Sequence, residues 1–149
     1  MNQIIKSSKF CLHILLSLIL MGCSENLDDK MYQLVKNNYS KKCDFNFNLI
    51  VKEKWDYIFI FGEYFTQHDI TNEIGFKYEG NKTGDCEHRI LIIHNNQILY
   101  NQIYNENRIV FNEEKNIGVT KIEYNEIYYA EYNSSIVPSF YFLKKKQPK

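Results

Sequence analysis

The N-terminal segment constrains the fold most, because it decides how much of the chain is left to form a domain. Lys6 and Lys9 precede a mostly apolar run of twelve residues, and the small residue Gly22 follows that run. A basic start, an apolar stretch of this length and a small residue are typical of an export signal. The apolar run is shorter than the roughly 20 residues that a membrane-spanning helix needs. We therefore expect residues 1–22 to be removed and residues 23–149 to remain.

A cysteine follows the small residue directly, and the motif Leu20-Met21-Gly22-Cys23 resembles the lipobox of bacterial lipoproteins. The resemblance implies that Cys23 becomes the first residue of the mature protein and carries a diacylglycerol and an amide-linked chain such as palmitate. Two or more acyl chains anchor a protein stably, whereas one binds marginally. Ser24 stands where an aspartate commonly retains lipoproteins in the inner membrane. In a Gram-negative host this implies the outer membrane, facing the periplasm. The alternatives are a plain secretory signal or an uncleaved membrane anchor.

The length and charge of the remainder suit one small domain. We expect a tether at 23–25, a globular domain at 26–144 and a basic tail at 145–149 that is solvated or touches anionic headgroups. Loss of the signal leaves 16 basic and 18 acidic residues, a formal charge of −2. A dedicated nucleic-acid-binding protein normally has a strongly basic face. We therefore predict no nucleic-acid partner, and the sequence shows no cofactor motif.

The cysteines predict one disulfide bond. Cys11 leaves with the signal and Cys23 carries lipid, so Cys43 and Cys86 remain. Exported compartments are generally oxidising. A bridge between these two would close a 43-residue loop and stabilise the fold by about 4 kcal/mol in the chain-entropy model. The alternatives are two buried thiols, or a metal site built from Cys86 and His88, which no second ligand cluster accompanies.

Capping residues predict two helices. Asn26 can cap a helix over residues 27–38, which has two aspartates in its first turn. Thr66 can start a short helix through residue 74, because an aspartate three residues later completes a partial capping box. Gly75 is available to end that helix.

Alternation and turn residues predict the strands. Residues 45–51 alternate between polar and apolar side chains, as in a half-buried strand. Residues 57–61 are apolar on both faces, which is typical of the centre of a covered sheet. Residues 90–93 and 97–103 form a predicted hairpin around Asn95-Asn96, a pair that tolerates the positive φ of a type I′ turn.

The rest of the chain completes an α+β fold. Turn residues predict a loop at 77–87. Further strand candidates are 108–111, 119–124, 127–132 and 139–143, although 122–132 fits a helix as well. We predict an N-terminal helix and a short second helix packed on one antiparallel sheet of about six to eight strands.

The segment Trp55-Asp56-Tyr57-Ile58-Phe59-Ile60-Phe61-Gly62-Glu63-Tyr64, followed by the short helix closed at Gly75, resembles small uncharacterised bacterial lipoproteins. Those proteins often carry proline where this chain has Glu63. The resemblance implies an exported location and this fold, and it implies no activity.

Few residues suggest catalysis. His68, His88 and His94 belong to no recognised catalytic motif, and Glu113-Glu114 reads as a solvated charge pair in a turn. We predict no catalytic and no metal residues. The alternative function, a small envelope hydrolase that uses His88 or His68, requires a polar pocket with a supporting carboxylate.

Aromatic residues beside charges favour protein recognition instead. The possible binding surface consists of Trp55, Tyr64 and Phe65, and further candidates are Tyr128, Tyr129 and Tyr132. We predict a lipid-anchored envelope protein that binds an unknown envelope protein partner, either as an inhibitor or immunity protein or as an accessory factor of an envelope assembly.

Overall fold

The computed structural model describes residues 26–104, 108–111, 118–134 and 140–147. Cys23 and the lipobox-like motif lie outside these residues, as does Glu113-Glu114. The helices are α1 (Leu27–Lys41) and α2 (Gln67–Ile74), with a short 3₁₀ helix at Phe47–Leu49. The strands are β1 (Tyr57–Phe61), β2 (His88–His94), β3 (Gln97–Tyr104), β4 (Ile109–Phe111), β5 (Val119–Glu123), β6 (Tyr128–Asn133) and β7 (Phe140–Lys145).

Four strands form an antiparallel sheet in the order β3-β2-β1-β5. The position of β1 confirms the prediction from its sequence, because β1 lies inside the sheet and four of its five residues are buried. Ile58 and Ile60 belong to one core cluster, and Phe59 and Phe61 belong to another. Both faces of the central strand are therefore covered, as a strand without alternation requires.

The other three strands form a second sheet in the order β4-β7-β6. Strand β7 runs antiparallel to β6 and parallel to β4. The α+β class is therefore confirmed, whereas the expectation of one purely antiparallel sheet is wrong. Strand β4 is only three residues long, and its pairing with β7 joins segments far apart in sequence. Local pattern does not encode such a pairing.

Two hydrophobic clusters hold these layers together. The larger cluster lies between the two sheets and takes in Met31 and Val35 of α1. The smaller lies on the other face of the four-stranded sheet, where Ile70 of α2 packs beside Phe61. No helix in the described part of the chain is long and apolar enough to cross a membrane.

The predicted helix caps are confirmed. Asn26 accepts a hydrogen bond from the backbone N–H of Asp28, and α1 continues to Lys41, three residues beyond the predicted end. Thr66 and Asp69 form a complete capping box at the start of α2. Gly75 ends α2 with a φ of 81°, a conformation in which glycine meets no Cβ penalty.

The predicted hairpin is confirmed as well. Strands β2 and β3 are joined by Asn95 and Asn96, whose φ angles of 51° and 57° are the positive values that a type I′ turn requires. Residues 122–132, for which strand and helix were both open, contain the end of β5, a turn and most of β6.

The strand predicted at residues 45–51 is wrong. Phe45 makes one isolated bridge to Tyr128, and a 3₁₀ helix follows at Phe47–Leu49. The side chain of Asn46 accepts a hydrogen bond from the backbone N–H of Asn48. Short polar side chains that bond to nearby backbone compete with strand pairing, and this cap turns the chain away from an extended path.

The basic tail begins later than predicted. Lys145 is the last residue of β7 and pairs with Glu126. The backbone N–H of Lys146 donates to the carbonyl of Ile127, and its ammonium pairs with Asp44. Residues 145 and 146 therefore belong to the domain.

Candidate binding site

Trp55 does not belong to a binding surface. Its side chain is 2% exposed and lies in the larger core cluster, with its ring centroid 5.1 Å from that of Tyr124. The indole Nε1 has no hydrogen-bond partner among the described residues. The prediction that Trp55 belongs to an exposed surface is wrong, because its side chain packs inside the larger core cluster.

Tyr64 is the exposed member of the predicted surface. Its side chain is 62% exposed, and its hydroxyl donates to Oδ1 of Asp85 at 2.6 Å. This hydrogen bond to a carboxylate raises the pKa of Tyr64 to about 12, because it stabilises the protonated phenol. Phe65 is half-buried, with its ring 5.4 Å from that of Phe61. The structure therefore does not assemble Trp55, Tyr64 and Phe65 into one exposed patch.

The predicted disulfide is not formed. Cys43 is an exposed thiol, and Cys86 is exposed as well. Cys43 lies two residues before Phe45, which bridges to β6 of the three-stranded sheet. Cys86 lies two residues before β2 of the four-stranded sheet. The two cysteines therefore adjoin different sheets, a division that alternation and spacing do not reveal.

Cys86 lies instead in a cluster with Glu63 and Asp85, whose ligand atoms are all within 4.8 Å of one another. The sequence put Asp85 and Cys86 beside His88, but His88 is not in this cluster. Two carboxylates suit a hard cation and a thiolate suits a soft one, so the donor set selects no metal. Oδ1 of Asp85 already accepts the hydrogen bond from Tyr64. The cluster assigns no metal site.

His68 and His88, the two histidines considered for catalysis, lie in different environments. His68 is exposed, and the neighbouring carboxylate of Asp69 accepts hydrogen bonds from the N–H and hydroxyl of Thr66, at 2.9 and 2.6 Å. His88 is buried against the ring of Tyr104, 5.3 Å away between centroids. His68 is therefore exposed beside a carboxylate that caps a helix, whereas His88 is buried.

An Asp–His pair that the sequence analysis missed supports the β2–β3 hairpin. Nδ1 of His94 lies 3.2 Å from Oδ1 of Asp56, and Nε2 lies 3.1 Å from the side-chain amide of Asn95. The other oxygen of Asp56 accepts the backbone N–H of Asn95 at 2.7 Å, which lowers the pKa of Asp56, and the bond to His94 lowers it further. Both ring nitrogens of His94 thus contact residues that shape the turn.

A cleft of about 850 Å³ lies beside Trp55, at the junction of the two sheets. Glu126, on its wall, accepts hydrogen bonds from Tyr128 and Lys145. Burial alone would raise the pKa of Glu126, but these bonds outweigh it and lower the pKa. Neither His68 nor His88 is among the residues that line this cleft. The ion pair of Glu126 with Lys145 connects the turn between β5 and β6 to β7.

Four tyrosines from three elements pack together at a partly exposed site, which we call the tyrosine patch. Tyr32 and Tyr39 come from α1, Tyr132 from β6 and Tyr141 from β7. The ring centroids lie 5.9 Å apart for Tyr39–Tyr132, 5.4 Å for Tyr39–Tyr141, 5.0 Å for Tyr132–Tyr141 and 6.0 Å for Tyr32–Tyr141. These separations are those of interacting aromatic pairs, so the four rings pack as one unit.

The patch has a buried base and an exposed top. Tyr141 is buried, and burial and the neighbouring tyrosines raise its pKa. Tyr39 and Tyr132 are 39% and 45% exposed. The guanidinium of Arg108 lies 5.1 Å from the ring centroid of Tyr32 and also donates to Asp29 at 2.6 Å. The guanidinium of Arg108 therefore lies beside an aromatic surface whose rings are held in place by their contacts with one another.

The sequence indicated only one member of this patch, Tyr132. The four tyrosines are 109 positions apart at the extremes, and no local spacing links them. Their assembly depends on the packing of α1 against β6 and on the pairing of β6 with β7.

In comparison with known proteins, no family model matches the chain, and no curated protein and no solved structure matches it. The lipoprotein resemblance of residues 1–23 therefore stays a prediction from the sequence.

Proposed function

We propose that this chain is a lipid-anchored protein of the cell envelope that acts by binding another protein. The lipobox-like motif ending in Cys23 supports the anchor, and Ser24 favours the outer membrane in a Gram-negative host. The observation that carries the binding function is the tyrosine patch.

The composition of the patch suits recognition of a protein. Tyrosine and arginine are enriched at the energetic centres of protein interfaces. A tyrosine has few rotatable bonds, so an interface gains contact area at a low cost in conformational entropy. Tyr39 and Tyr132 are already held by their neighbours, which lowers that cost further. Arg108 adds a charged donor at the border of the surface.

The position of the patch agrees with an anchored protein. Cys23 lies three residues before Asn26 in the sequence, and α1 begins at Leu27. Tyr39 is twelve residues further along α1, which corresponds to about 18 Å at the rise of an α-helix. Tyr39, at the exposed top of the patch, is therefore near the end of α1 remote from the anchor, whereas Tyr32 lies closer to its start.

An inhibitor or immunity protein, or an accessory factor of an envelope assembly, would fit this design. The hydrolase alternative has less support. His68 is exposed beside a carboxylate that caps a helix, and His88 is buried against Tyr104.

The anchor is tested by labelling cells with an alkyne fatty acid and detecting the full chain. We expect label on the wild-type protein and none after Cys23→Ala. Equal labelling of both would contradict the anchor.

The binding surface is tested by crosslinking in intact envelopes, pull-down and quantification of the partner that is recovered. Loss of a residue at the energetic centre of an interface costs at least about 2 kcal/mol of binding free energy. Tyr132→Ala should therefore lower recovery of the partner about 30-fold. Tyr129 is the matched control, because it is an exposed tyrosine on the same strand and lies three residues away, on the opposite face. A partner recovered equally with both variants would show that the patch is not its binding surface.

A further inference from the structure

A mostly apolar groove of about 530 Å³ lies beside the first turns of α1. Asn26, Lys30 and Leu34 line it from the helix; they are four residues apart and therefore share one helix face. Leu49, the last residue of the 3₁₀ helix, and Lys52 line it as well. The groove thus adjoins Asn26, the residue that follows the predicted tether.

The groove contains an apolar side chain that the core does not cover. Leu49 is 52% exposed, the highest fraction of any aliphatic side chain in the described part of the chain. Leu34 and Ile50, which also line the groove, are half-buried. Apolar surface that stays in contact with water is unfavourable, so covering these neighbours would be stabilising.

Lysines border this apolar surface. The ammonium of Lys52 donates to the backbone carbonyl of Leu49 at 2.8 Å, which places a positive charge beside the exposed leucine. Lys30 adds a second positive charge from α1. Two nearby carboxylates already have partners, Asp29 with Arg108 and Glu53 with Tyr100. Apolar side chains bordered by lysines suit the boundary between acyl chains and anionic headgroups.

The predicted anchor would keep the groove close to such a boundary, a step that rests on the proposed lipidation of Cys23. Asn26 is three residues after Cys23 in the sequence. An extended chain spans at most about 3.6 Å per residue, so Asn26 can lie no more than about 11 Å from the acylated residue.

We propose that the groove is a membrane-facing surface, on which Leu49 enters the bilayer interface and Lys30 and Lys52 contact anionic phospholipid headgroups. Burial of the leucine and attraction of the lysines to the headgroups both favour this orientation. Tyr32 and Tyr39 are about 140° round α1 from the centre of the face that lines the groove. The tyrosine patch therefore stays accessible to a protein partner.

The orientation is tested by fluorescence of the full chain, purified from membranes and reconstituted in vesicles of phosphatidylcholine and phosphatidylglycerol. In a Cys43→Ser, Cys86→Ser background, Leu49→Cys carries an environment-sensitive nitrobenzoxadiazole dye. Asn72→Cys is the matched control, because it is exposed on α2, which packs on the opposite face of the four-stranded sheet from α1. We expect a blue-shifted emission and quenching by nitroxide-labelled lipid at position 49, and neither at position 72.

The contribution of charge is tested with the dye at position 33, because Gln33 is exposed and also lines the groove. The double variant Lys30→Glu, Lys52→Glu should lose most of the lipid quenching at this position. Lys82→Glu, which alters an exposed lysine in the loop after α2, should retain it. Circular dichroism checks that each variant is folded. Unchanged quenching in the double variant would overturn the contact with headgroups.

Labelling with an alkyne fatty acid separates this inference from the anchor. A labelled chain with equal signals at positions 49 and 72 would overturn the membrane-facing surface and leave the anchor intact. A blue shift at position 49 without lipid quenching would show that a second copy of the chain covers the groove, which also overturns the proposal. A chain without label would refute the anchor, and this inference with it.

Discussion

Replacing Trp55 tests most clearly whether this residue lies in the core or on the surface. A buried tryptophan removes about 150–250 Å² from water, which at about 25 cal/mol per Å² corresponds to about 4–6 kcal/mol before any relaxation. The unfolded chain already buries part of this area, so the transfer value is an upper estimate. Because Trp55 is 2% exposed, we expect Trp55→Ala to lower the free energy of unfolding by about 3–5 kcal/mol.

Two companion variants sharpen this prediction. Tyr64→Ala alters a side chain that is 62% exposed, and it should cost less than about 1 kcal/mol. Trp55→Phe keeps an aromatic ring and removes the indole N–H that has no hydrogen-bond partner among the described residues. Removal of a buried unsatisfied donor offsets part of the lost packing, so this variant should cost less than about 1.5 kcal/mol.

The assay is urea denaturation of each purified chain, followed by far-ultraviolet circular dichroism and linear extrapolation to water. An unchanged slope with denaturant would show that the variants alter stability and not the compactness of the unfolded state. A cost of Trp55→Ala no larger than that of Tyr64→Ala would refute the assignment of Trp55 to the core.

Three other predictions follow from single residues. Thr66→Ala removes both the cap acceptor and the hydroxyl bonded to Asp69; it should cost about 1 kcal/mol in urea denaturation, and Thr66→Ser should restore most of that. The folded-state pKa of Glu126 is lowered from 4.5, so its stabilisation is present above the unfolded-state pKa and is lost as the pH falls through the folded-state value. Glu126→Gln should therefore be less stable than the wild type at pH 7, and the two should converge in stability under acid conditions; a constant difference would contradict this. Cys43 should react with a thiol reagent in the native, non-reduced protein, and Cys43→Ser should lower the number of reactive thiols by one. An unreactive Cys43 would support the predicted disulfide instead of the free thiol.

Local signals predicted most of the secondary structure. The cap at Asn26, the capping box at Thr66, the glycine stop at Gly75 and the Asn95-Asn96 turn depend on side chains that act on their own backbone neighbourhood. Such contacts span at most a few residues, so the sequence contains them directly. The apolar segment at residues 57–61 was equally informative, because a strand with no polar face has to be covered on both sides.

One local contact and the long-range pairing of strands explain what the sequence did not predict. Alternation at residues 45–51 favoured a strand, but the side chain of Asn46 caps a 3₁₀ helix there. The parallel pairing of β4 with β7 makes a second sheet, and it joins segments that local pattern cannot relate. The position of Cys43 and Cys86 beside different sheets follows from the same division.

The binding surface illustrates this limit for function. Hydrophobic pattern could not show that Trp55 is buried while Tyr132 is exposed, since both aromatic residues adjoin or lie in strands. Tyr39 belongs to the tyrosine patch because α1 packs against β6, which brings its ring against that of Tyr132. A surface composed of a helix and two strands is a property of the tertiary structure.

The central claim, that the tyrosine patch binds another protein, is tested most directly by site-specific photocrosslinking. A benzophenone amino acid replaces Tyr132 in the full chain, and irradiation of intact envelopes is followed by mass analysis of the adducts. The same amino acid at Tyr129 is the control on the opposite face of β6. We predict one defined heterologous adduct from position 132 that Tyr39→Ala abolishes and that position 129 does not give. The absence of that adduct, or equal adducts from both positions, would contradict the account.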